Sequence, residues 1–420
     1  MFSNKFDKLS YKFDKLPYKF DKLSDNFSKT FGLIDIIVLY ILYNNHSIWM
    51  QLSSNIFQLK TLSISHLDQI YQLINENYIT DEMNILRYSY GKDFMKWYLR
   101  IAHPELIIGL TCNERLVGMV IGSLIKINSY KSLIVKQPNE SVCSINSSFE
   151  KIPYINFLCV HHKLRSHGLS KMLVKELELR LDKIGIRSFV FQTPTRSTEF
   201  SLLIQHTPNL VKIPDISHFV IPINYPKLKK LQFVTEEESP SEPPREELRI
   251  GATGRALASQ ELSSNPLHVI KPHDLDEVAD RLNIFNKKTS FHINFDAEMS
   301  RLYLKPRKNI CYAFANYKDA KPIDFINIYK YYYYVPKHNE LIAVAQLGFY
   351  YMETMTLTEL VTYLLDKLKS YGFDQLIFKQ VSLNDTINIT KFSTYDKTTY
   401  YMYNNSNQNI TPSDIRFIPF

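Results

Sequence analysis

Leucines at 169, 173, 177 and 181 recur at every fourth position, with Met172 beside them and Lys171, Lys175, Glu178 and Arg180 on the other faces. That spacing predicts a half-buried amphipathic helix, and Gly185 supplies its stop. A short apolar strand, Ile155-Asn156-Phe157-Leu158-Cys159-Val160, precedes it, and the stretch 186–192 follows as a strand, giving a β-α-β unit. Residues 107–127 alternate apolar and polar about Asn113-Glu114 and predict a hairpin. Leu73 to Tyr78 close an amphipathic helix, an acidic loop spans 79–86, and Phe94 and Trp97 fall on a further helix. Residues 128–150 are a polar, Ser/Asn-rich loop, 195–215 are irregular, and 216–233 return to strand character.

The pattern restarts after a break. Residues 235–248, TEEESPSEPPREEL, cannot form a core, so a linker or surface insertion is expected, extending to Asn265. Past His268 the periodicity predicts helices at 274–286, 297–304 and 355–371. Strands are expected near 310–316, 322–335, 374–380 and 399–404. Gly185-Ile186 and Gly372-Phe373 each end a long helix ahead of a strand, a first sign of internal duplication. At the other end, residues 5–25 repeat KFDKLSY, KFDKLPY, KFDKLSD. The period is a heptad, but Pro17 breaks any continuous helix, so a basic tail is expected. The apolar run to Tyr43 includes Asp35 and is short for a bilayer span. It reads as a buried helix or strand, with a membrane-associated segment as the alternative.

Composition narrows the class. A chain of 420 residues with 45% apolar and 22% charged residues can bury two domains or one large one. The net charge of +8 suits an anionic ligand, and equally a ribosome or membrane surface. No zinc-finger or RNA-binding motif supports a specific nucleic acid. The four cysteines are scattered, with no CxxC pair, which fits a reducing, cytoplasmic compartment and no metal.

The candidate chemistry lies between the apolar strand and the leucine helix. His161-His162-Lys163-Leu164-Arg165 is a basic turn, and Arg165-Ser166-His167-Gly168-Leu169-Ser170 leads into the helix. Strand, basic small-residue loop and helix N-terminus together make an anion site. Gly168 would let the backbone approach a pyrophosphate and Arg165 would add charge. The loop resembles the acyl-CoA pyrophosphate loop of the N-acetyltransferase-like superfamily. The residues INFLCVH, 155–161, are similar to the signature of N-myristoyltransferases, which read close to E-I-N-F-L-C-V-H-K-K-L-R-S. Leu73 to Glu82 resembles the family's L-L-N-E-N-Y-V-E-D-D, and Leu86 to Tyr90 its F-R-F-x-Y. Asp324-Phe325 with Tyr329, Phe291-His292 and Phe349-Tyr350 also stand in family order.

The resemblance implies an α/β (α+β) fold in which two pseudo-symmetric N-acetyltransferase-like halves form one mixed, saddle-shaped sheet flanked by helices. It places an N-terminal extension at 1–47, an acyl-CoA-binding half at 48–234, the linker at 235–266 and a peptide-binding half at 267–420. It implies transfer of a myristoyl group from myristoyl-CoA to an N-terminal glycine amine, by direct attack, in a monomer. Polarisation of the thioester would fall to the backbone N–H groups of Phe157 and Leu158, and deprotonation to the α-carboxylate of Phe420. An apolar end, Phe417-Ile418-Pro419-Phe420, would carry that carboxylate inside and raise its pKa. Cys159 reads as a buried inert thiol. Myristoyl-CoA would meet Trp49, Asn156 to Val160 and Arg165 to Ser170. The acceptor peptide would meet Tyr78, Asp81, Glu82, Tyr88, Tyr90, His206, His292, Tyr329, Phe349 and Asp396. The family's K-F-G-x-G-D-G is replaced by Lys391-Phe392-Ser393-Thr394-Tyr395-Asp396-Lys397, which lacks all three glycines. That departure keeps two alternatives open: a related N-acyltransferase with an altered acceptor, or an idle acyl-CoA-binding protein.

Overall fold

Strands and helices are interspersed along the described residues: 56–78, 85–129, 148–194 except 166 and 187, 210–234 except 214, 265–382 except 290, 394–403 and 411–416 of the computed structural model. The strands are β1 Phe57–Thr61, β2 Arg87–Ser89, β3 Ala102–Cys112, β4 Arg115–Ser129, β5 Ser148–Val160, β6 Phe189–Pro194, β7 Leu210–Lys212 and β8 Ile216–Pro222. After the linker come β9 His268–Val269, β10 Phe291–Ile293, β11 Cys311–Lys318, β12 Lys321–Val335, β13 Glu340–Tyr351, β14 Gln375–Lys379, β15 Thr394–Tyr403 and β16 Ile415–Arg416. The helices are α1 Leu67–Asn77, α2 Lys92–Ile101, α3 Leu169–Lys183, α4 Tyr225–Lys230, α5 Leu275–Asn286, α6 Ala297–Tyr303 and α7 Leu357–Ser370.

Two units are distinguishable, Met1–Gln58 with Thr111–Glu114, and Leu59–Leu110 with Arg115–Phe420. In the first, Asn113 and Glu114 both take positive φ, 48° and 62°, the backbone of a two-residue hairpin turn. The site described below lies within the second.

From β3 the sheet runs β3-β4-β5-β6-β15-β8-β14-β13-β12-β11-β9. β5 with β6 and β13 with β14 are parallel pairs, and each needs a crossover helix. Those helices are α3 and α7. The expected leucines of α3 are all buried, and the helix lies on β4 and β5. α7 starts at a capping box of Thr356 and Glu359, which satisfies orphan N–H groups at its first turn. Its Leu357, Leu360, Val361, Leu364 and Leu368 pack on Ile326, Ala345, Leu347, Leu376 and Phe378. The opposite face of the sheet is covered by buried residues of α1, α2, α5 and α6.

Three expectations change. Strand character was expected through 233, but β8 stops at Pro222 and α4 begins. Asn224 accepts from Lys227 N–H at its start and a proline occupies its first turn, both helix-start chemistry. β13 was not expected at all. Ten of its twelve residues are buried, and a strand covered on both faces shows no alternation to read. The stretch 394–397, expected as a loop, opens β15. It pairs with β8 as Thr394↔Phe219, Asp396↔His218 and Lys397↔Ser217, with the register shifting between Thr394 and Asp396. The repeat at 5–25 and the run 31–43 lie outside the described residues. Among the described residues no helix is long and apolar enough to cross a membrane, and no cluster of metal-ligating side chains occurs.

Candidate active site

β5 is irregular at one point. Its antiparallel register with β4 jumps from Met119↔Cys159 to Ile121↔Asn156, so Phe157 and Leu158 together face Val120. This is a β-bulge, and Phe157 sits at φ 52°. A side chain in that left-handed conformation costs about 1–2 kcal/mol. Full burial of the phenyl ring, 0% exposed, contributes about 1.5–3 kcal/mol in return. The rings of Tyr78, Tyr90 and Tyr98 hold it, at centroid distances of 5.3, 5.1 and 4.8 Å. The N–H of Phe157 donates to Asn156 Oδ1 at 2.9 Å, which also accepts from the Tyr78 hydroxyl at 3.2 Å.

On its other edge β5 parts from β6. The parallel register covers Tyr154↔Val190 and Ile155↔Phe191 and goes no further. Phe157 and Leu158 are therefore the two residues of β5 with no one-to-one partner in the register of either neighbour. The expected pair of donors reduces to one: the Phe157 N–H is taken by Asn156 Oδ1, and Leu158 is the bulge residue whose N–H neither strand register claims.

Past the bulge, the loop after β5 leads to the N-terminus of α3. Gly168 is its N-cap at φ 75°, no side chain caps it, and no acidic residue lies in its first turn. Among the described residues no side chain claims its first N–H groups, the arrangement that suits an anion. The loop before it is anchored by Asn77, which is buried at the end of α1. Asn77 Oδ1 accepts from His162 N–H at 2.9 Å and lies 2.7 Å from His162 Nδ1. The Asn77 carbonyl accepts from Arg165 Nη2, and Arg165 Nε donates to the Val160 carbonyl at 3.4 Å. Arg165 is therefore a brace for the loop as well as a nearby charge. Burial, then the neighbouring cations Lys163 and Arg165, hold His162 below the usual histidine range; burial, then His162 and Lys163, do the same to His161. The positive charge of the loop thus resides on Lys163 and Arg165.

Aromatic rings run outward from Phe157. Tyr90 lies tilted against Tyr331 at 5.9 Å, Tyr88 stacks on Tyr331 at 5.6 Å, and Tyr333 meets Tyr88 edge-on at 4.9 Å. The hydroxyls of Tyr331, Tyr333 and Tyr88 are linked at 3.2 and 3.3 Å. The same sheet face carries a buried polar group. Lys379 Nζ donates to Gln192 Oε1 at 2.7 Å and to the Tyr400 hydroxyl at 2.8 Å. His218 Nε2 lies 3.0 Å from Thr398 Oγ1. Burial lowers Lys379 to about 7 and, with the Lys379 charge, His218 to about 3.

Lys379 gives a stability signature. Its amine titrates near 10.4 in the unfolded chain and near 7 in the fold. Between those values the unfolded chain holds the extra proton, so stability climbs with pH, by up to about 1.4 kcal/mol per unit. Below about 7 both states are protonated and the penalty is complete. Lys379→Met is expected to flatten this rise. Urea unfolding of both chains at neutral and alkaline pH measures it, and equal rises in the two would refute the buried titration.

A family described as "Myristoyl-CoA:protein N-myristoyltransferase, N-terminal domain" matches residues 48–199. A protein of Acanthamoeba polyphaga mimivirus, provisionally named a glycylpeptide N-tetradecanoyltransferase, is 34% identical over 365 residues, 86% of this chain and 90% of its own length. The chain belongs to the N-myristoyltransferase family. The Kluyveromyces lactis glycylpeptide N-tetradecanoyltransferase is 27% identical over 63% of this chain and 52% of its own. The fold is that of the Saccharomyces cerevisiae N-myristoyltransferase solved with bound myristoyl-CoA, at a TM-score of 0.65 and 18% identity, covering 85% of this chain and 84% of that one.

The family residues expected from the sequence divide into three groups. Asn156 to Val160, Arg165, His167 to Ser170, Tyr78, Tyr88 and Tyr90 gather around the bulge, the loop and the aromatic wall. Tyr329, Phe349 and His292 are core instead. The Tyr329 hydroxyl donates to the Tyr303 carbonyl at 2.6 Å, Phe349 packs edge-on against Phe295 at 4.9 Å, and His292 Nδ1 lies 2.8 Å from the Thr289 carbonyl. Trp49, Asp81, Glu82, Ser166, His206 and Phe420 lie outside the described residues, as does the side chain of Asp396. Lys397 is exposed and, by strand alternation, falls on the face opposite Thr398 and Tyr400, so it does not confront the polar group there. Asn77, Tyr331, Tyr333 and Lys379 were not anticipated; the run Tyr329 to Tyr334 was the available signal for the tyrosines.

Proposed function

We infer that this chain is an acyltransferase that moves a myristoyl group from myristoyl-CoA to the N-terminal glycine amine of a protein. The bulge at Phe157-Leu158 carries this reading. The Leu158 N–H, fixed at a splayed edge, can polarise a thioester carbonyl without reorganising during the reaction. The open N-terminus of α3, with Lys163 and Arg165 beside it, would take the pyrophosphate of the same molecule. The aromatic wall from Tyr78 to Tyr333 would take the acceptor chain.

The amine attacks directly in this scheme, with no acyl-enzyme. Cys159 is the thiol nearest the bulge in sequence. Burial pushes it up to about 12, and its Sγ lies against the Leu73 carbonyl, so it holds no thiolate at neutral pH. The α-carboxylate of Phe420 is proposed as the base on its apolar sequence context. Nascent chains in the cytoplasm are the proposed substrates, met by a monomer.

The test is acylation by myristoyl-CoA of two peptides differing only in Gly or Ala at the first residue. The glycine peptide is expected to gain one myristoyl group. The alanine peptide is expected to react more slowly yet measurably, since Ser393, Tyr395 and Lys397 replace the family's glycines. Strict rejection of alanine would refute the altered pocket. Acylation of neither, with CoA binding intact, would make the chain an idle binder.

A further inference from the structure

The chain contains the same crossover twice. In the first, β5 bulges at Phe157-Leu158, two residues past its last parallel pair with β6, and a loop leads into α3. In the second, β13 bulges at Gly348-Phe349, two residues past its last parallel pair with β14, and a loop leads into α7. Each helix ends at a left-handed glycine, Gly185 at φ 73° and Gly372 at φ 74°.

The two crossovers differ in what their donors meet. In the second, β12 projects Asp324 into the loop, wholly buried. Asp324 Oδ1 accepts the N–H groups of Glu353, Thr354 and Met355 at 2.8, 2.9 and 3.2 Å. Its Oδ2 accepts from the Thr354 hydroxyl at 2.5 Å and from Asn316 Nδ2 at 3.0 Å. Burial pushes this carboxyl up, but the hydrogen bonds from Thr354, Asn316 and Glu353 outweigh it and hold it below the usual carboxylate range. Three residues along, Asn327 is equally buried. Its Oδ1 accepts the bulge N–H of Phe349 at 2.6 Å, and its Nδ2 donates to the Tyr303 carbonyl at 3.0 Å. Gly348 leaves room for it, since an added Cβ would collide with Asn327 Oδ1. Among the described residues the first crossover has no such carboxylate at its helix, whose N-cap Gly168 receives no side-chain cap.

We propose that Asp324 and Asn327 are built-in ligands. A carboxylate fills, in the second crossover, the loop that takes an anionic group in the first. A side-chain carbonyl takes the N–H of Phe349, whose counterpart three residues past the last parallel pair of the first crossover is Leu158, the donor assigned to the acyl carbonyl. The chain accordingly binds one acyl-CoA, and its second crossover is a permanently filled copy that serves as a rigid support. The comparison of ligands rests on the acyl-CoA reading of the first crossover. The filling of the second stands on its own hydrogen bonds. An amide can satisfy the bulge because only one acceptor is needed there. Three converging N–H groups and a hydroxyl call for a full negative charge.

The test uses the full chain carrying Asp324→Ala, with Asp324→Asn beside it. Without small carboxylates, Asp324→Ala is expected to melt about 5 °C below the unmodified chain. Acetate should raise it saturably, while chloride at equal ionic strength should not. Asp324→Asn, whose amide occupies the space, should show no such acetate response, nor should the unmodified chain. If Asp324→Ala does not fold unaided, its refolding yield in acetate against chloride is the readout. Equal behaviour in acetate and chloride would overturn the proposal, as would two equivalents of CoA bound by the unmodified chain in calorimetry. Acetate rescue in a chain that binds no CoA would sustain the filled second crossover and overturn the acyl-CoA reading of the first.

Discussion

Leu158→Pro is expected to lower turnover by about 10²–10³-fold while leaving acyl-CoA binding within a few-fold of normal, the loss seen when one preorganised oxyanion donor is removed. The substitution deletes the N–H at one of the two positions of β5 that have no partner in the register of β4 or β6, the other, Phe157, donating to Asn156 Oδ1. Proline is tolerated at bulges for that reason, because no ladder bond is lost. Leu158→Ala is the control, since it trims the side chain and keeps the donor; it should retain nearly full turnover. Stopped single-turnover acylation with calorimetry of acyl-CoA binding separates the two effects. If Leu158→Pro turns over normally, the polarising donor lies elsewhere. If alanine and proline are equally slow, the side chain and not the N–H was responsible.

Gly168→Val should do the reverse. At φ 75°, a side chain at the N-cap of α3 costs about 1–2 kcal/mol, and a β-branched one fits worst. The loop can relieve that strain only by moving off the geometry that aims its N–H groups. Acyl-CoA affinity is expected to fall by on the order of tenfold or more, with turnover at saturating acyl-CoA little changed. Gly168→Asn, which tolerates left-handed backbone, should lose far less. Unchanged affinity in the valine variant would mean that the pyrophosphate is not held by this loop.

The two substitutions are one helix entry apart in the sequence, yet they were legible to different degrees. Gly168 stood out because a glycine between a basic turn and a leucine-periodic helix has a definite backbone meaning. Leu158 could be named only through its likeness to a family signature. Nothing in the residue types Phe157-Leu158 encodes a bulge, and a phenylalanine gives no sign that it will take a left-handed φ. The bulge is held because Tyr78 and Tyr90, from the segment between α1 and α2, and Tyr98, from α2, surround that ring.

Local periodicity determined what local forces control. The four leucines of α3, the apolar stripe and capping box of α7, the Asn113-Glu114 turn and the glycine stops depend on neighbours within a helical turn or a hairpin. The sequence therefore placed these elements, and it identified the strand-loop-helix that carries the candidate site. The tertiary structure decided what depends on partners far along the chain. Lys379 finds Gln192 at a separation of 187 residues and His218 finds Thr398 at 180, so no window of sequence displays that polar group. β13, covered on both faces, has no alternation by which to announce itself. Asp324 matched a family pattern in the sequence, and only the convergence of three N–H groups, 29 to 31 residues further on, shows it to be held inside the fold. A residue's type limits which bonds it can make; the fold alone determines which of them are within reach.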